Sequence, residues 1–493
     1  MKKYFYILVF AVLMGGLTSC NDWLDVSPKD RIPADKMFES ESGFKDILTG
    51  AYLKLGTANL YAGDMKYGYL DELAGLYCDY PGYNTNSVYN QAIVFDYTNQ
   101  FLSKKDNLYL EMYNVVANLN NLLQNIETHR DVLKTPHYYE CIKGEALGLR
   151  AFIYFDLLRL FGPIYSEHPT DAAIPYKTTY DKEPTPVLPA NQVVEKILED
   201  LKAAEALLKD NDPCDFHTAI DQRTDFLSNR EFRMNLYAVK AMMARVYCYS
   251  GQNDLAVQYA QEVIDANKYF TLYKSQTASN YNSIRYGEQI FGLSVNQLNN
   301  TLISNSMDME NTSVQQRYGM TADMFTKVYE GITSDWRQNV VAFNWDESHQ
   351  YAFCQKYNQA PLADNSGANA IPLIRLPEMY YIIAECAANA ETSAEALNTV
   401  RLSRGIPYSD EIHTLGYDDK DATSEENKQQ TRRINEIMKE YRKEYYAEGQ
   451  LFFFLKAHHY TTYYGCGVAN MTSKEYQMPL PDNEKIFGNN TTK

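Results

Sequence analysis

The sequence predicts a mainly α-helical protein, a frame of helices carrying long irregular loops and a few short strands. Three observations predict it. Apolar residues recur at three- and four-residue spacing over long segments, the period of an amphipathic helix and not of a strand. Between those segments lie two long stretches, 57–106 and 268–370, rich in Gly, Asn, Ser and Tyr and lacking that period. Composition is ordinary for a globular chain, with 45% apolar and 22% charged residues, which excludes disorder of the whole.

The elements follow in order. Residues 1–19 read as a secretory signal: Lys2 and Lys3 are a positive start, and Tyr4 to Gly16 is an apolar run too short to span a bilayer. Leu17-Thr18-Ser19-Cys20 resembles a bacterial lipobox, so Cys20 is the expected lipidation site, and two or three acyl chains would hold the chain at a membrane. Helix is expected over 39–56, where Phe44, Ile47, Leu48, Ala51, Tyr52 and Leu55 keep helical spacing, and over 107–127. Pro136 opens another that Gly162-Pro163 stops. Its second half, from Ala151 to Phe161, is apolar nearly all round and so buried on several sides.

Further helices are expected at 191–209, 231–250, 253–267, 377–390, 393–404 and 431–457, with a tight turn at Ser250-Gly251-Gln252-Asn253. Their spacing, roughly 30–45 residues per pair, resembles tetratricopeptide-type (TPR-type) hairpins in degenerate form. A strand-like run occupies 289–295, and 408–430 reads as a polar, acidic, solvated loop. Eight cysteines include no C-x-x-C pair; Cys141, Cys248 and Cys386 sit among apolar helical residues and are expected to pack as small hydrophobes.

Charge and motifs narrow the function. With 46 basic and 63 acidic residues the net charge is −17, which argues against a nucleic-acid partner. No nucleophile elbow, P-loop, H-E-x-x-H or dinucleotide fingerprint occurs in the sequence, so no catalytic residue, metal ligand or cofactor is assigned and the chain is read as a binding protein, not an enzyme. His458-His459 closes a helix and is read as a partner of its dipole. The outlier is aromatic content, 42 Tyr and 21 Phe against 3 Trp. Tyr80, Tyr83 and Tyr89 cluster with Tyr77, Asp79, Asn84 and Asn86 in a Gly/Pro-containing loop. Flat rings can stack on the apolar face of a sugar while amides and carboxylates bond its hydroxyls. Tyr281, Arg285 and Tyr286 form a second cluster, and Tyr318, Trp336 and Trp345 a third.

Read together, several segments resemble the SusD/RagB family of Bacteroidetes nutrient-binding outer-membrane lipoproteins. Glu145-Ala146-Leu147-Gly148-Leu149-Arg150-Ala151, continuing through Tyr154-Phe155-Asp156 and Arg159-Leu160-Phe161-Gly162, is similar to that family's E-A-x-x-L-R-A-x-x-Y-F-D-L-x-R-L-F-G. Arg375-Leu376-Pro377-Glu378 with Glu385, Leu397-Asn398-Thr399-Val400-Arg401, the set Glu440, Arg442, Glu444, Glu448 and Gly449, and Met478-Pro479-Leu480-Pro481 resemble its later elements in order. Asp335-Trp336-Arg337 resembles a D-x-R element, which favours a structural role for its charged pair. One departure stands out: Leu451 and Phe454 occupy the places of an Arg and an Asp, so packing is expected where the family has an ion pair.

The resemblance implies a SusD-like fold with residues 20–493 as one binding unit: a helical part to 266, a loop-rich ligand-side insert over 267–374 and a second helical part from 375. It implies a cell-surface, lipid-anchored protein of the outer membrane that takes part in polysaccharide utilization. Such a protein binds an oligosaccharide and passes it to a SusC-like TonB-dependent transporter. A peptide-binding RagB-like role, a scaffold or a lipid-anchored glycan hydrolase are the alternatives. Ligand loops vary strongly among members, so no ligand residue is carried over. Tyr80, Tyr83, Asn84, Tyr89, Tyr281, Arg285, Tyr286 and Trp345 remain the candidates that composition suggests. Glu145, Arg150, Asp156 and Arg159 are expected to be architectural, paired at an apolar interface.

Overall fold

The computed structural model describes residues 36–78, 80, 92–217, 225–274, 283–296, 298, 319–338, 342–357, 367 and 369–488. Its helices, in chain order, begin with α1 Glu41–Leu55, α2 Tyr69–Leu73, α3 Asn99–Ile126, α4 Tyr138–Phe161 and α5 Ala190–Leu208. They continue with α6 Leu236–Tyr249, α7 Asn253–Ile264, α8 Ala322–Tyr329, α9 Leu376–Cys386 and α10 Ala390–Ser403. The last are α11 Arg432–Glu444, α12 Leu451–Ala457, α13 Ser473–Tyr476 and α14 Asp482–Phe487.

The strands are short: β1 Ala172–Pro175, β2 Val187–Pro189, β3 Gln289–Ser294, β4 Gly319–Thr321, β5 Phe343–Asp346, β6 Tyr351–Cys354 and β7 Ala370–Arg375. They form a β1–β2 pair, a β3–β7 pair and a three-stranded sheet of order β4-β6-β5, all antiparallel.

Consecutive helices pack on one another through the chain: α1 on α3, α3 on α4, α4 on α5, α5 on α6, α6 on α7, then α7 on α9 and α9 on α10. Helix α4 is the centre of the first half, buried at every position from Gly144 to Phe161. Caps define several helix starts, because the first N–H groups of a helix lack internal partners. Ser40 accepts from Gly43, Asn235 from Ala238, Asn389 from Thr392 and Thr431 from Ile434. None of the helices among the described residues is long and apolar enough to cross a membrane.

The family-like charges of α4 are architectural. Glu145 accepts from Arg230 (2.6 Å), Arg233 (2.8 Å) and the Tyr52 hydroxyl (2.6 Å), which ties α4 to α1 and to the turn before α6. Arg150 makes a two-pronged bond to Asp200 on α5, both contacts at 2.7 Å, and donates to Asn120 on α3. Asp156 accepts from Tyr61 and from Arg159, whose guanidinium is sandwiched between Phe155 and Phe453.

A larger set of buried charges joins the second half. Helix α11 has the sequence RRINEIMKEYRKE, yet Glu440, Tyr441, Arg442, Lys443 and Glu444 are all buried. Glu444 accepts from Arg404 (2.9 Å), Arg375 (2.7 Å) and Arg337 (3.1 Å). Burial alone would raise its pKa, but the guanidiniums of Arg404, Arg285, Arg375 and Arg337 outweigh that and hold the carboxyl well below the usual range. Glu440 pairs with Arg401 at 2.7 Å, and Glu448 with Arg375 at 2.6 Å and Lys356 at 2.7 Å. Arg337 also grips Asp335, the D-x-R pair seen in the sequence.

The single helix expected over 431–457 is broken at Tyr445–Gln450. Ala447 and Gly449 adopt left-handed conformations (φ 63° and 67°), which turns Glu448 inward to Arg375 and Lys356. At Gly449 a Cβ would lie 2.2 Å from the Met65 carbonyl oxygen, so only glycine fits. Leu451 and Phe454 pack as the sequence suggests: Leu451 is fully buried, and Phe454 lies 4.6 Å from the Tyr441 ring and 4.4 Å from His458.

Three other expectations are modified. Helix α3 starts at Asn99, eight residues before the expected 107, and the expected 231–250 helix begins at Leu236 after a 3-10 turn over Arg230–Phe232. The 408–430 excursion is only partly solvated, since Tyr417, Glu426 and Asn427 are buried and Glu426 pairs with Arg442. Its inward side chains are anchored by charge and hydrogen bonds, which periodicity does not register.

Candidate functional site

The site is built on the three-stranded sheet. Extended residues 76–78 run alongside it: the Cys78 N–H donates to Gly319 on β4 (2.9 Å), and the Tyr351 hydroxyl donates to the Cys78 carbonyl (2.8 Å). That positions Tyr80 over one face of the sheet, edge-on to Tyr351 (5.0 Å, 89°) and 5.5 Å from Phe353. Strand alternation puts Tyr351 and Phe353 on one face, together with Asp346 and Asn344 opposite them in register.

The β5–β6 turn carries the polar groups. Asp346 organises it as an Asx-turn, accepting at Oδ1 from the Ser348 N–H (3.0 Å), the Ser348 hydroxyl (2.6 Å) and the His349 N–H (3.3 Å). Its Oδ2 accepts from the Tyr80 hydroxyl and faces His349 Nδ1 at 2.8 Å. The Ser348 and Tyr80 hydroxyls hold the Asp346 carboxyl well below the usual range, so it is a fixed anion. Gln350, left-handed at φ 50°, closes the turn. The His349 side chain is 39% exposed, and no described residue bonds its Nε2. The result is an imidazole and a hydroxyl exposed at the surface, fixed there by a carboxylate and by the Tyr80 ring beneath them, which is 5% exposed.

The sequence candidates distribute unevenly. Tyr80 is at this face, while Trp345, one residue before Asp346, points to the opposite side, half-buried with its ring 4.9 Å from Phe325. Tyr77 is buried against Tyr446. Arg285 and Tyr286 lie inside the frame, at 3% and 7% exposure. Arg285 faces Glu444 and covers the Trp336 ring; Tyr286 donates to Glu231 and packs on His217 and Phe232. Both side chains are engaged in holding the interior, as is the Tyr80 ring at 5% exposure, which corrects the expectation that all three face a ligand. Cys20, Tyr83, Asn84, Tyr89, Tyr281 and Tyr318 lie outside the described residues. Composition missed Asp346, Ser348 and His349, although Trp345-Asp346-Glu347-Ser348-His349 carries the spacing of an Asx-turn.

Larger open cavities lie elsewhere. One of about 600 Å³ is bounded by Tyr109 and Tyr113 on α3, Lys177 and the Pro481–Glu484 segment. A second, of about 770 Å³, is bounded by Phe95, Tyr97, Phe161, Val187 and Met478.

A packed helical frame bearing short sheets and long loops is the architecture of a helix array. Comparison with known proteins makes that specific. Residues 234–492 match the SusD family, and residues 22–248 match a SusD-like family described as "Starch-binding associating with outer membrane". This chain therefore belongs to the SusD family.

Among curated relatives, the SusD-like protein P38 of Formosa agariphila is 26% identical over 215 residues, 42% of this chain and 38% of P38. The SusD-like protein P2 of the same organism is 24% identical over 277 residues, 55% of this chain and 48% of P2. The chain thus spans less than half the length of the curated relatives it matches. Solved structures agree on the fold. A SusD superfamily protein of Bacteroides thetaiotaomicron superposes with a TM-score of 0.68 at 18% identity, covering 90% of this chain and 97% of the other. A SusD-like carbohydrate binding protein of Bacteroides vulgatus gives 0.67 at 19%, covering 92% and 97%.

Proposed function

We propose that this chain is a lipid-anchored protein of the bacterial cell surface that binds a nutrient oligosaccharide and delivers it to a SusC-like TonB-dependent transporter in the outer membrane. Family membership supports the class. The observation that carries the ligand is the sheet face on which Asp346 fixes Tyr80, Ser348 and His349 side by side. A sugar ring needs a flat surface and hydrogen-bonding groups at its edge; the exposed His349 imidazole and Ser348 hydroxyl supply them, held in place by Asp346 and by Tyr80, itself 5% exposed.

Tyr83, Asn84 and Tyr89, in the segment that continues from Tyr80, together with Tyr281, are the further contacts in this reading. The anchor is Cys20, with acyl chains keeping the binding unit beside the transporter. The protein does no chemistry on its ligand; it raises the local concentration at the transporter mouth and releases the glycan unchanged.

The test is incubation of the mature chain with a panel of neutral oligosaccharides, read by calorimetry and by product analysis. Binding without turnover supports the reading. Turnover would make the protein a hydrolase, and binding of peptides alone would defeat the sugar assignment. Tyr83→Ala should weaken binding about fivefold or more, since one aromatic contact contributes roughly 1 kcal/mol.

A further inference from the structure

A cavity of about 490 Å³ opens on the helical frame, between α7, α9, α10 and the Asn267–Lys274 segment, and it uses no residue of the Tyr80 face. We infer that it is a second binding site, for a short neutral oligosaccharide. Its volume falls within the roughly 300–1,000 Å³ of small-molecule sites, and its walls belong to packed helices, so it is pre-formed.

The floor is apolar: Phe270, Leu272 and Leu376 are 1%, 8% and 3% exposed. Two tyrosines rise from it. Tyr380 on α9 is half-buried, and Tyr408, at the start of a 3-10 turn after α10, is 75% exposed. Neighbouring polar groups with local partners are satisfied within the protein. The Thr271 hydroxyl donates to the Asn267 carbonyl, that of Thr399 to Glu395 and that of Ser403 to Val400.

Three lining groups are different. Among the described residues, none bonds the Tyr380 hydroxyl, the Tyr408 hydroxyl or the Asn267 side-chain amide. A purely apolar ligand would cover these ends and leave them unpaired, at a cost of about 1–3 kcal/mol for each group that loses water. A charged ligand finds no matching cluster either, because Lys274 lines the cavity and Asp265 acts on Tyr380 from nearby, one charge of each sign. Flat rings with free hydroxyls and an amide at their margins suit a ligand that is apolar on its ring faces and hydroxylated at its edges. A neutral sugar has that pattern.

The inference goes beyond the loop-face reading and is tested apart from it. Ligand-observed saturation-transfer NMR would be run with maltotriose, cellotriose, xylotriose and mannotriose on the mature wild type, Tyr80→Ala, Tyr408→Ala and Tyr380→Phe. Tyr408 is exposed, so its replacement leaves the fold intact, as equal melting temperatures would show.

At least one trisaccharide should still bind Tyr80→Ala, and its affinity should fall tenfold or more in the Tyr80→Ala/Tyr408→Ala double variant and severalfold in Tyr80→Ala/Tyr380→Phe. Binding to wild type that vanishes in Tyr80→Ala alone overturns the second site while leaving the loop site standing. Affinities in the double variants equal to those of Tyr80→Ala overturn it as well, as does absence of binding to every protein in the series.

Discussion

The buried charges around α11 and the polar turn around Asp346 are each organised by a carboxylate, and the two behave differently. In the frame, Glu444 is enclosed by three guanidiniums within 3.1 Å and has no access to water. On the sheet face, Asp346 is held by Ser348 and Tyr80, and the histidine beside it is open to solvent. An enclosed ion must keep its partners, since removing one leaves an uncompensated charge in a low-dielectric interior. An exposed one can be rehydrated at little cost. The difference separates what the fold needs from what a ligand can use.

The largest way to break that contrast is Glu444→Ala. It takes the shared carboxylate from Arg404, Arg375 and Arg337, which keep Glu288, Glu448 and Asp335 but are left with an excess of buried positive charge. The expected loss is about 3–5 kcal/mol, read as a collapse of the melting temperature or of soluble yield. Arg150→Ala comes next, at about 3 kcal/mol, because Asp200 keeps the Tyr176 hydroxyl at 2.7 Å and a side chain 11% exposed to water. A variant that melts like wild type would remove Arg150 from the frame.

A third test uses pH. Lys456 donates to the carbonyls of Arg159 and Gly162, both at 2.7 Å, with no carboxylate at hand. Burial, and then the neighbouring Arg159 charge, push its pKa down from 10.5 to about 7. Between those values the unfolded chain holds the extra proton, so the penalty is fully present below pH 7 and stability rises as pH climbs above it. Lys456→Met should flatten that rise between pH 7 and 9, by up to about 1.4 kcal/mol per pH unit, whatever it does to the absolute level. An unchanged slope would reassign the titration to another group. The smallest effect is His349→Ala on the sheet face, where the side chain is 39% exposed. Global stability should change by under about 1 kcal/mol while glycan affinity drops, a split that no substitution around Glu444 can produce.

Periodicity made the helices legible because most bury one apolar face, and α4 because it is apolar all round. The helix over α11 was also expected, but not its burial, because its polar sequence would be placed at the surface on hydropathy alone. There the resemblance in Glu440, Arg442, Glu444 and Glu448 carried the information, since each of those charges has a buried partner of opposite sign. The break at Ala447–Gly449 was hidden because it depends on Met65, far away in the chain. Composition singled out Tyr80, Arg285 and Tyr286 alike, and all three are buried, at 5%, 3% and 7% exposure. Aromatic content cannot distinguish a ring that faces water from one that seals a core, and the difference lies in long-range contacts.

The order of those charges along the chain has a consequence for biosynthesis. Arg285, Arg337, Lys356, Arg375, Arg401 and Arg404 are all made before Glu440, Glu444 and Glu448, with Glu288 and Asp335 the acidic partners that precede them. As the polypeptide emerges from its N-terminus, the second half accumulates cations whose principal counter-charges do not yet exist. Burying them without those carboxylates would cost several kcal/mol each, so this half gains its dry interior only when α11 is in place. A chain that ends before α11 lacks those carboxylates and is expected to lose that interior.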